Sequence, residues 1–165
     1  MKANKRIKII NSILKFFIVS NAIEDIFDDK DAVITTRLFN QVKHANTQIA
    51  MYAVHKEMKH LNDYCTAGEL RDYSVTVGLR KCLEHTKIKA TLKKLFKNEP
   101  KSLKAILKWH IKFEKIHPFG DGNGRIGRFL MLMQSEKNNI ELPELFFTLD
   151  DNFENDRQHY YALFK

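Results

Sequence analysis

The chain has 165 residues, of which 44% are hydrophobic and 29% charged, and its formal net charge is +8. This length fits one domain with a single core, and the composition excludes a disordered chain. Two cysteines, Cys65 and Cys82, are too few for a disulfide framework, and no run approaches the about 20 apolar residues of a membrane span. We therefore expect a reduced, cytoplasmic setting with no membrane partner, and secretion stays open as the alternative.

The spacing of apolar residues, mostly three and four apart, predicts a mainly helical chain. In chain order, we expect helices near 5–18, 20–29, 33–62, 66–74, 88–97, 102–117, 123–138 and 152–164. Segment 74–89 is the exception, because its alternating start and Gly78 indicate a small β-hairpin, with an irregular loop as the alternative. No repeat or linker divides the chain, so the expected fold class is one all-α domain over residues 1–165.

A basic stretch lies in the second half of the chain. Residues 80–115 hold twelve lysines and arginines against three glutamates. Such a stretch attracts nucleic acid, acidic proteins or nucleotide phosphates. Few aromatic residues interleave with the lysines, which favours a solvated helix face over a single-strand-binding surface. A non-catalytic module that binds nucleic acid or protein stays open, although we expect no nucleic-acid partner.

A short loop joins two of the predicted helices. The first helix ends at His117, because Pro118 prevents its normal continuation, and the next begins between residues 122 and 125. Both helices carry an apolar stripe and are expected to pack in the core. The loop is thus held at both ends, which makes it a rigid support for chemistry.

The residues of this loop, HPFGDGNGRIGR over 117–128, have the composition of a phosphate site. Glycines at a helix start offer backbone N–H groups to an anion. Arg125 and Arg128, three apart on one helical face, can clamp phosphate oxygens. Asp121 can hold a hard cation such as Mg²⁺, and His117 can accept a proton near neutral pH. Each residue alone has an ordinary structural explanation, but the combination favours attack on a nucleotide phosphate.

The same run matches the Fic-domain signature H-x-F-x-D/E-G-N-G-R-x-x-R at every defined position. Further similarity lies in Gly-Glu-Leu-Arg at 68–71, before the flap hairpin of the family, and in residues 157–163 near the end. The resemblance covers most of residues 20–164 and implies a Fic-like helical bundle, with a small β-hairpin flap at about 74–89 beside the active-site loop.

The resemblance implies an enzyme, a protein adenylyltransferase that moves AMP from Mg-ATP to a Tyr, Thr or Ser hydroxyl of a target protein or of itself. By resemblance, His117 is the general base, Phe119 anchors the loop and Asp121 binds Mg²⁺. The residues implied to bind ATP phosphates are Gly122, Asn123, Gly124, Arg125 and Arg128. Doc kinases carry lysine at the position of Gly124, and phosphocholine-transferring relatives carry alanine at that of Gly122. This chain has neither change, which favours AMP transfer.

Residues 20–24, SNAIE, resemble the inhibitory motif S/T-x-x-x-E-G/N of many Fic proteins. The resemblance implies an inhibitory helix at about 18–30, in which Glu24 pairs with Arg128 and displaces the ATP γ-phosphate. A carboxylate suits a guanidinium fork as a phosphate oxygen does. Asp25 stands where the motif has Gly or Asn, so the match is incomplete. Glu24 as an ordinary surface acid, removal of AMP instead of its transfer, and a homo-oligomer all stay open.

Overall fold

The structure is a computed structural model that describes residues 2–146, 158 and 160–162, and the side chains of residues 11–144, 146, 158 and 160–162. Within these residues, its main elements are six α-helices and one β-hairpin. The elements are α1 Lys2–Ala22, α2 Asp29–Val42, α3 Thr47–Glu57, β1 Thr76–Val77, β2 Arg80–Lys81, α4 Ile88–Lys97, α5 Leu103–Ile116 and α6 Asn123–Asn138. The prediction of a helical fold with a small hairpin is confirmed. The helix predicted near 152–164 falls mostly outside the described residues.

Helix α6 is the centre of the fold. It packs against α1, α3 and α5, and twelve of its residues are buried. A helix buried on all sides has no polar face, so its charged side chains must find partners inside the protein. Arg125 and Arg128 are two such residues, at 5% and 1% exposure. The central helix therefore brings both arginines of the signature into the interior.

Three phenylalanines fasten the N-terminal helices to α6. Phe17 of α1, Phe39 of α2 and Phe129 of α6 contact one another, with ring centroids 5.4 to 5.7 Å apart. Such aromatic pairs stabilise packing beyond the area that they bury. They hold the end of α1, and with it residues 20–24, next to the start of α6.

Two helix predictions near the N-terminus are wrong. The helix predicted at 20–29 does not form, because α1 continues through Ala22 and a turn follows, in which Asp25 has φ 60°. The helix predicted at 33–62 is two helices. Asp28 caps α2 by accepting from Lys30 N–H, and Asn46 caps α3 by accepting from two N–H groups. A capping side chain favours the start of a new helix over the continuation of the previous one. The spacing of apolar residues alone does not indicate such a cap.

The segment between α3 and the hairpin is a loop, so the helix predicted at 66–74 is also wrong. Gly68 has φ 83°, which ends any helix there, and Arg71 N–H donates to the carbonyl of Pro118 instead of to its own turn. The hairpin follows, with Thr76 opposite Lys81 and Val77 opposite Arg80. Within the part of the chain that the structure describes, none of the helices has the length and apolarity needed to cross a membrane.

Candidate active site

One side chain, that of Asn123, closes the loop between α5 and α6. Its Oδ1 accepts from Phe119 N–H and its Nδ2 donates to the carbonyl of Phe119, both at 2.9 Å. Phe119 is fully buried and stacks on the His55 ring, with centroids 3.7 Å apart. The loop anchor implied for Phe119 is therefore present in the geometry. Asn123 uses its side chain to shape the loop and has its backbone N–H left for a ligand.

A second buried residue, His55, supports the loop from α3 and was not predicted from the sequence. Its Nδ1 accepts from Gly68 N–H at 2.8 Å, and its Nε2 donates to the carbonyl of Asp121 at 3.1 Å. Burial lowers the pKa of His55, which favours the neutral ring that these two bonds require. A single histidine in a helix carries no sequence signal for this contact.

Arg71 joins the flap to the catalytic loop. Its Nε donates to the carbonyl of His117 at 2.7 Å, and its terminal nitrogens donate to the carbonyls of Tyr73 and Leu83, both at 2.5 Å. The side chain is 5% exposed, and burial lowers its pKa. Residues 68–71 resemble a family segment, but local spacing does not show that Arg71 reaches a loop more than forty positions away.

His117 lies in the left-handed region at the end of α5, with φ 51° and ψ 65°. Burial, and then the positive charges of Arg71 and Arg80, lowers the pKa of His117 to about 4. The imidazole is therefore neutral at pH 7 and can accept a proton. A hydrogen bond with the backbone of Glu114 acts against this shift.

The cavity beside His117 has a volume of about 320 Å³, and most of the predicted site residues line it. Its lining residues from the loop and α6 are His117, Asp121, Gly122, Asn123, Gly124 and Arg125. Gly122, at φ 72°, is the N-cap of α6, and no side chain caps that helix. The first N–H groups of α6 therefore have no intrahelical acceptor. They face the cavity with the positive end of the helix dipole, as a bound phosphate requires.

Asp121 provides a carboxylate to this cavity. Its Oδ1 accepts from Gly122 N–H at 2.6 Å and its Oδ2 from Asn62 N–H at 3.0 Å, so each oxygen keeps a lone pair. Over the residues that the structure describes, no group of three or more His, Cys, Asp and Glu could hold a metal alone. One carboxylate fits Mg²⁺, which commonly takes one or two carboxylates and completes its shell with phosphates and water.

The two signature arginines do not form a common clamp. Arg125 donates to the carbonyls of Lys59 and His60, at 2.6 and 3.0 Å. Arg128 lies one turn further along and donates instead to Ser20 of α1 and to Glu24 in the turn after it. Because a guanidinium group is planar and rigid, the two groups, which have different hydrogen-bond partners, point in different directions. Arg125 still lines the cavity, but its terminal nitrogens hold the loop after α3.

Arg128 is bound by the segment that resembles the inhibitory motif. Its Nη2 donates to Glu24 Oε1 at 2.8 Å and to the carbonyl of Ser20 at 2.9 Å, and its Nε donates to Ser20 Oγ at 2.9 Å. The guanidinium also lies 5.0 Å from the centre of the Tyr160 ring. Burial acts to lower the pKa of Arg128, but Tyr160 and Glu24 raise it above its ordinary value. The predicted pair of Glu24 with Arg128 is present.

Gly124 leaves room for this ion pair. A Cβ at that position would collide with Glu24 Oε1 and would lie 3.0 Å from Arg128 Nη1. Glu24, Gly124 and Arg128 also line a second cavity of about 210 Å³ on the flap side of His117. The carboxylate of Glu24 thus stands between the two cavities, next to the candidate base.

The Fic/DOC family model matches residues 37–135, which include α6 and the loop before it. The chain belongs to the Fic/DOC family. A similar solved structure is that of a Fic family protein from Desulfovibrio desulfuricans G20, which aligns over 93% of this chain with a TM-score of 0.60 and 18% identity. The chain spans 55% of the length of that protein, and at this identity the likeness concerns the fold. No curated protein matches the sequence.

A further ionisable group in the site of this Fic/DOC chain is Glu114 of α5, which was not predicted from the sequence. Glu114 lines the second cavity with Glu24, His117 and Arg128. Its side chain is 12% exposed, and its Oε1 lies 4.0 Å from Nδ1 of the buried His110. Burial raises the pKa of Glu114 to about 7. The site therefore holds a carboxyl group that titrates near neutral pH.

Proposed function

We propose that this chain is a protein adenylyltransferase, which transfers AMP from Mg-ATP to a side-chain hydroxyl of a protein and is held in check by Glu24. One observation carries the proposal. The neutral imidazole of His117 faces the same cavity as the unpaired N–H groups at the start of α6 and the carboxylate of Asp121. A base, an anion site and a cation ligand in one cavity are what nucleotidyl transfer requires.

In the proposed reaction, the hydroxyl oxygen of the target attacks the α-phosphorus of ATP. A new P–O bond forms, the bond from the α-phosphorus to the bridging oxygen breaks, and pyrophosphate leaves with that electron pair. His117 accepts the proton of the hydroxyl. The N–H groups of Gly124 and its neighbours at the start of α6 stabilise the negative charge on the phosphate oxygens. Asp121 would hold Mg²⁺, and the ion would supply neutralisation of the phosphate charge.

Glu24 is the proposed inhibitor of this reaction. It occupies Arg128, which lines the second cavity together with His117, through a charge-assisted hydrogen bond of 2.8 Å. A γ-phosphate that bound Arg128 would have to displace this carboxylate, since two anions repel each other at such a distance. Without Arg128, the triphosphate has no fixed orientation for in-line attack.

The experiment is transfer of labelled AMP from ATP, measured as self-modification and on lysate proteins in the Glu24→Gly background. His117→Ala in that background should abolish labelling and retain nucleotide binding. The matched control is His44→Ala, which removes an exposed imidazole that lines neither of the cavities beside His117. Labelling that survives His117→Ala at the control rate contradicts His117 as the base.

A second candidate is the removal of AMP from a modified protein. The observation that favours it is the position of the Glu24 carboxylate, which lines the same cavities as His117 and is 34% exposed, so it could orient a water. Incubation with an AMP-modified protein separates the two reactions. Glu24→Gly should increase transfer under the first proposal and abolish removal under the second.

A further inference from the structure

A cavity of about 730 Å³ lies between α4 and α5, larger than the one at the candidate active site. We refer to it as the trough. Its floor is apolar and is formed by Leu95 of α4 and by Ala105, Trp109 and Ile116 of α5. The three α5 residues are four and seven positions apart, so they follow one side of the helix. Concave apolar lining of this size is typical of a binding site.

Lysines form the rim of the trough. They are Lys94, Lys101, Lys108, Lys112 and Lys115, all exposed. On α5, Lys108, Lys112 and Lys115 are four and three apart and make a row parallel to the apolar floor. Within residues 11–144, none of the five forms an ion pair.

The acidic residue of the trough does not neutralise this row. Glu99 accepts from Thr47 Oγ1 at 2.7 Å and pairs with Lys137 of α6 at 3.4 Å. Its carboxylate is therefore directed towards α3 and α6. The trough combines an apolar floor with an uncompensated positive rim.

We propose that the trough binds an acidic amphipathic helix of a partner protein. The floor takes the apolar face of that helix, and its carboxylates meet the lysine row. Single-stranded nucleic acid fits less well, because it needs exposed aromatic faces for stacking, and Trp109 is 4% exposed. A bilayer fits less well because membrane-surface helices present a convex apolar face, whereas this surface is concave.

The dimensions fit a short helix. The fourteen residues of α5 span about 21 Å, so a partner helix of about 14 residues matches its length. The trough reaches Lys115 and Ile116, directly before His117. Arg80 of the flap donates to the carbonyls of Glu114 and Lys115 at the same end. A helix in the trough would therefore lie beside the flap and the candidate base, although binding there does not depend on the proposed reaction.

The test uses Trp109, the single tryptophan of the chain, as the reporter. Its indole lines the trough and donates to the carbonyl of Leu95 at 3.2 Å. The probe is a tryptophan-free peptide of about 15 residues, with leucines on one helical face and glutamates on the other. We expect a saturable change in the emission of the full chain, and binding that weakens as salt is raised.

Charge reversal of the rim supplies the specific arm. Lys108→Glu with Lys112→Glu should weaken binding of the peptide at least about tenfold, because carboxylates then face carboxylates. The matched control is Lys93→Glu with Lys97→Glu, which changes the same charge at exposed positions of α4 outside the trough. This control should keep the affinity within about twofold, with only the long-range effect of net charge.

Four results would overturn the proposal. The first is equal binding of a peptide with lysines in place of the glutamates, or of a scrambled acidic peptide. The second is a loss of binding in the control pair as large as that in the rim pair. The third is a change in Trp109 emission with anionic vesicles or single-stranded RNA but not with the acidic peptide. The fourth is a dimer in sedimentation that the rim pair abolishes, which would mean that a second copy of the chain fills the trough.

Discussion

Replacement of Glu24 by glycine tests how the Fic/DOC site is controlled. The substitution removes the carboxylate from Arg128 and leaves the bonds of that arginine to Ser20 in place. Arg128 is 1% exposed, whereas the Glu24 side chain is 34% exposed. One partner of the pair is thus buried and the other has partial access to water.

The magnitude follows from this geometry. A hydrogen bond to a charged group contributes about 1.5–3 kcal/mol, and partial exposure of Glu24 places the value at the lower end, about 2 kcal/mol. If the γ-phosphate must displace Glu24, removal of the carboxylate increases the rate of AMP transfer by about 30-fold at subsaturating ATP. The same change leaves a buried guanidinium with fewer acceptors, so the melting temperature should fall by about 4–8 °C. Activity and stability should therefore move in opposite directions.

The assay is labelling with radioactive ATP together with a thermal melt of the same preparations. Glu24→Gln, which keeps the size but not the charge, should lie between wild type and Glu24→Gly in both. Glu141→Gly is the matched control, since Glu141 is exposed in a loop after α6. Unchanged transfer in Glu24→Gly, with activity measurable in the wild type, would refute the competition for Arg128. Absence of transfer in every variant would refute the proposed reaction itself.

Two further predictions concern the same site. Gly124→Ala should lower the melting temperature of the wild type, because its Cβ collides with Glu24, and should lower it less in the Glu24→Gly background; equal losses in both backgrounds would contradict the collision. The free energy of unfolding should rise as the pH increases from about 4.5 to 6.5. In the folded protein, His110 and His117 have pKa values of about 3 and about 4, so over this pH range they are neutral when folded and take up protons when the chain unfolds. Glu114 has a folded-state pKa of about 7, so it holds a proton in the folded protein and releases it on unfolding, which acts in the opposite direction. The unfolded chain therefore binds about one proton more than the folded protein, so the free energy of unfolding should change by about 1.3 kcal/mol per pH unit. Glu114→Gln should roughly double this slope, measured by urea unfolding at several pH values. A free energy of unfolding that does not change with pH would contradict the prediction.

Local signals in the sequence were sufficient for the second half of the fold. Helices predicted at 88–97, 102–117 and 123–138 are present as α4, α5 and α6, with ends that differ by at most one residue. Each combines apolar periodicity with a local stop, such as Pro118 after α5. The predictions failed at 33–62, where Asn46 begins a new helix within an apolar pattern that continues on both sides. A capping hydrogen bond depends on one side chain, whereas the apolar periodicity is a property of a whole stretch of residues and does not indicate it.

The chemistry of the site followed from the residue types of the loop, but its support did not. His55 and Arg71 reach the loop from 66 and 46 positions away, through bonds to backbone carbonyls that any residue could provide. Such acceptors leave no trace in the pattern of side chains. The different directions of Arg125 and Arg128 are likewise set by which loops lie beside α6.

The sequence by itself determined the family-like signature, the helical class and the chemical types present in the site, because these depend on local spacing and side-chain identity. Tertiary structure decided the rest. The ion pair of Glu24 with Arg128 joins positions 104 apart. The short motif at 20–24 suggested this pair, but it forms because Phe17, Phe39 and Phe129 pack α1 and α2 against the central helix. Apolar packing of distant segments, which no local spacing encodes, sets which charge meets the buried arginine.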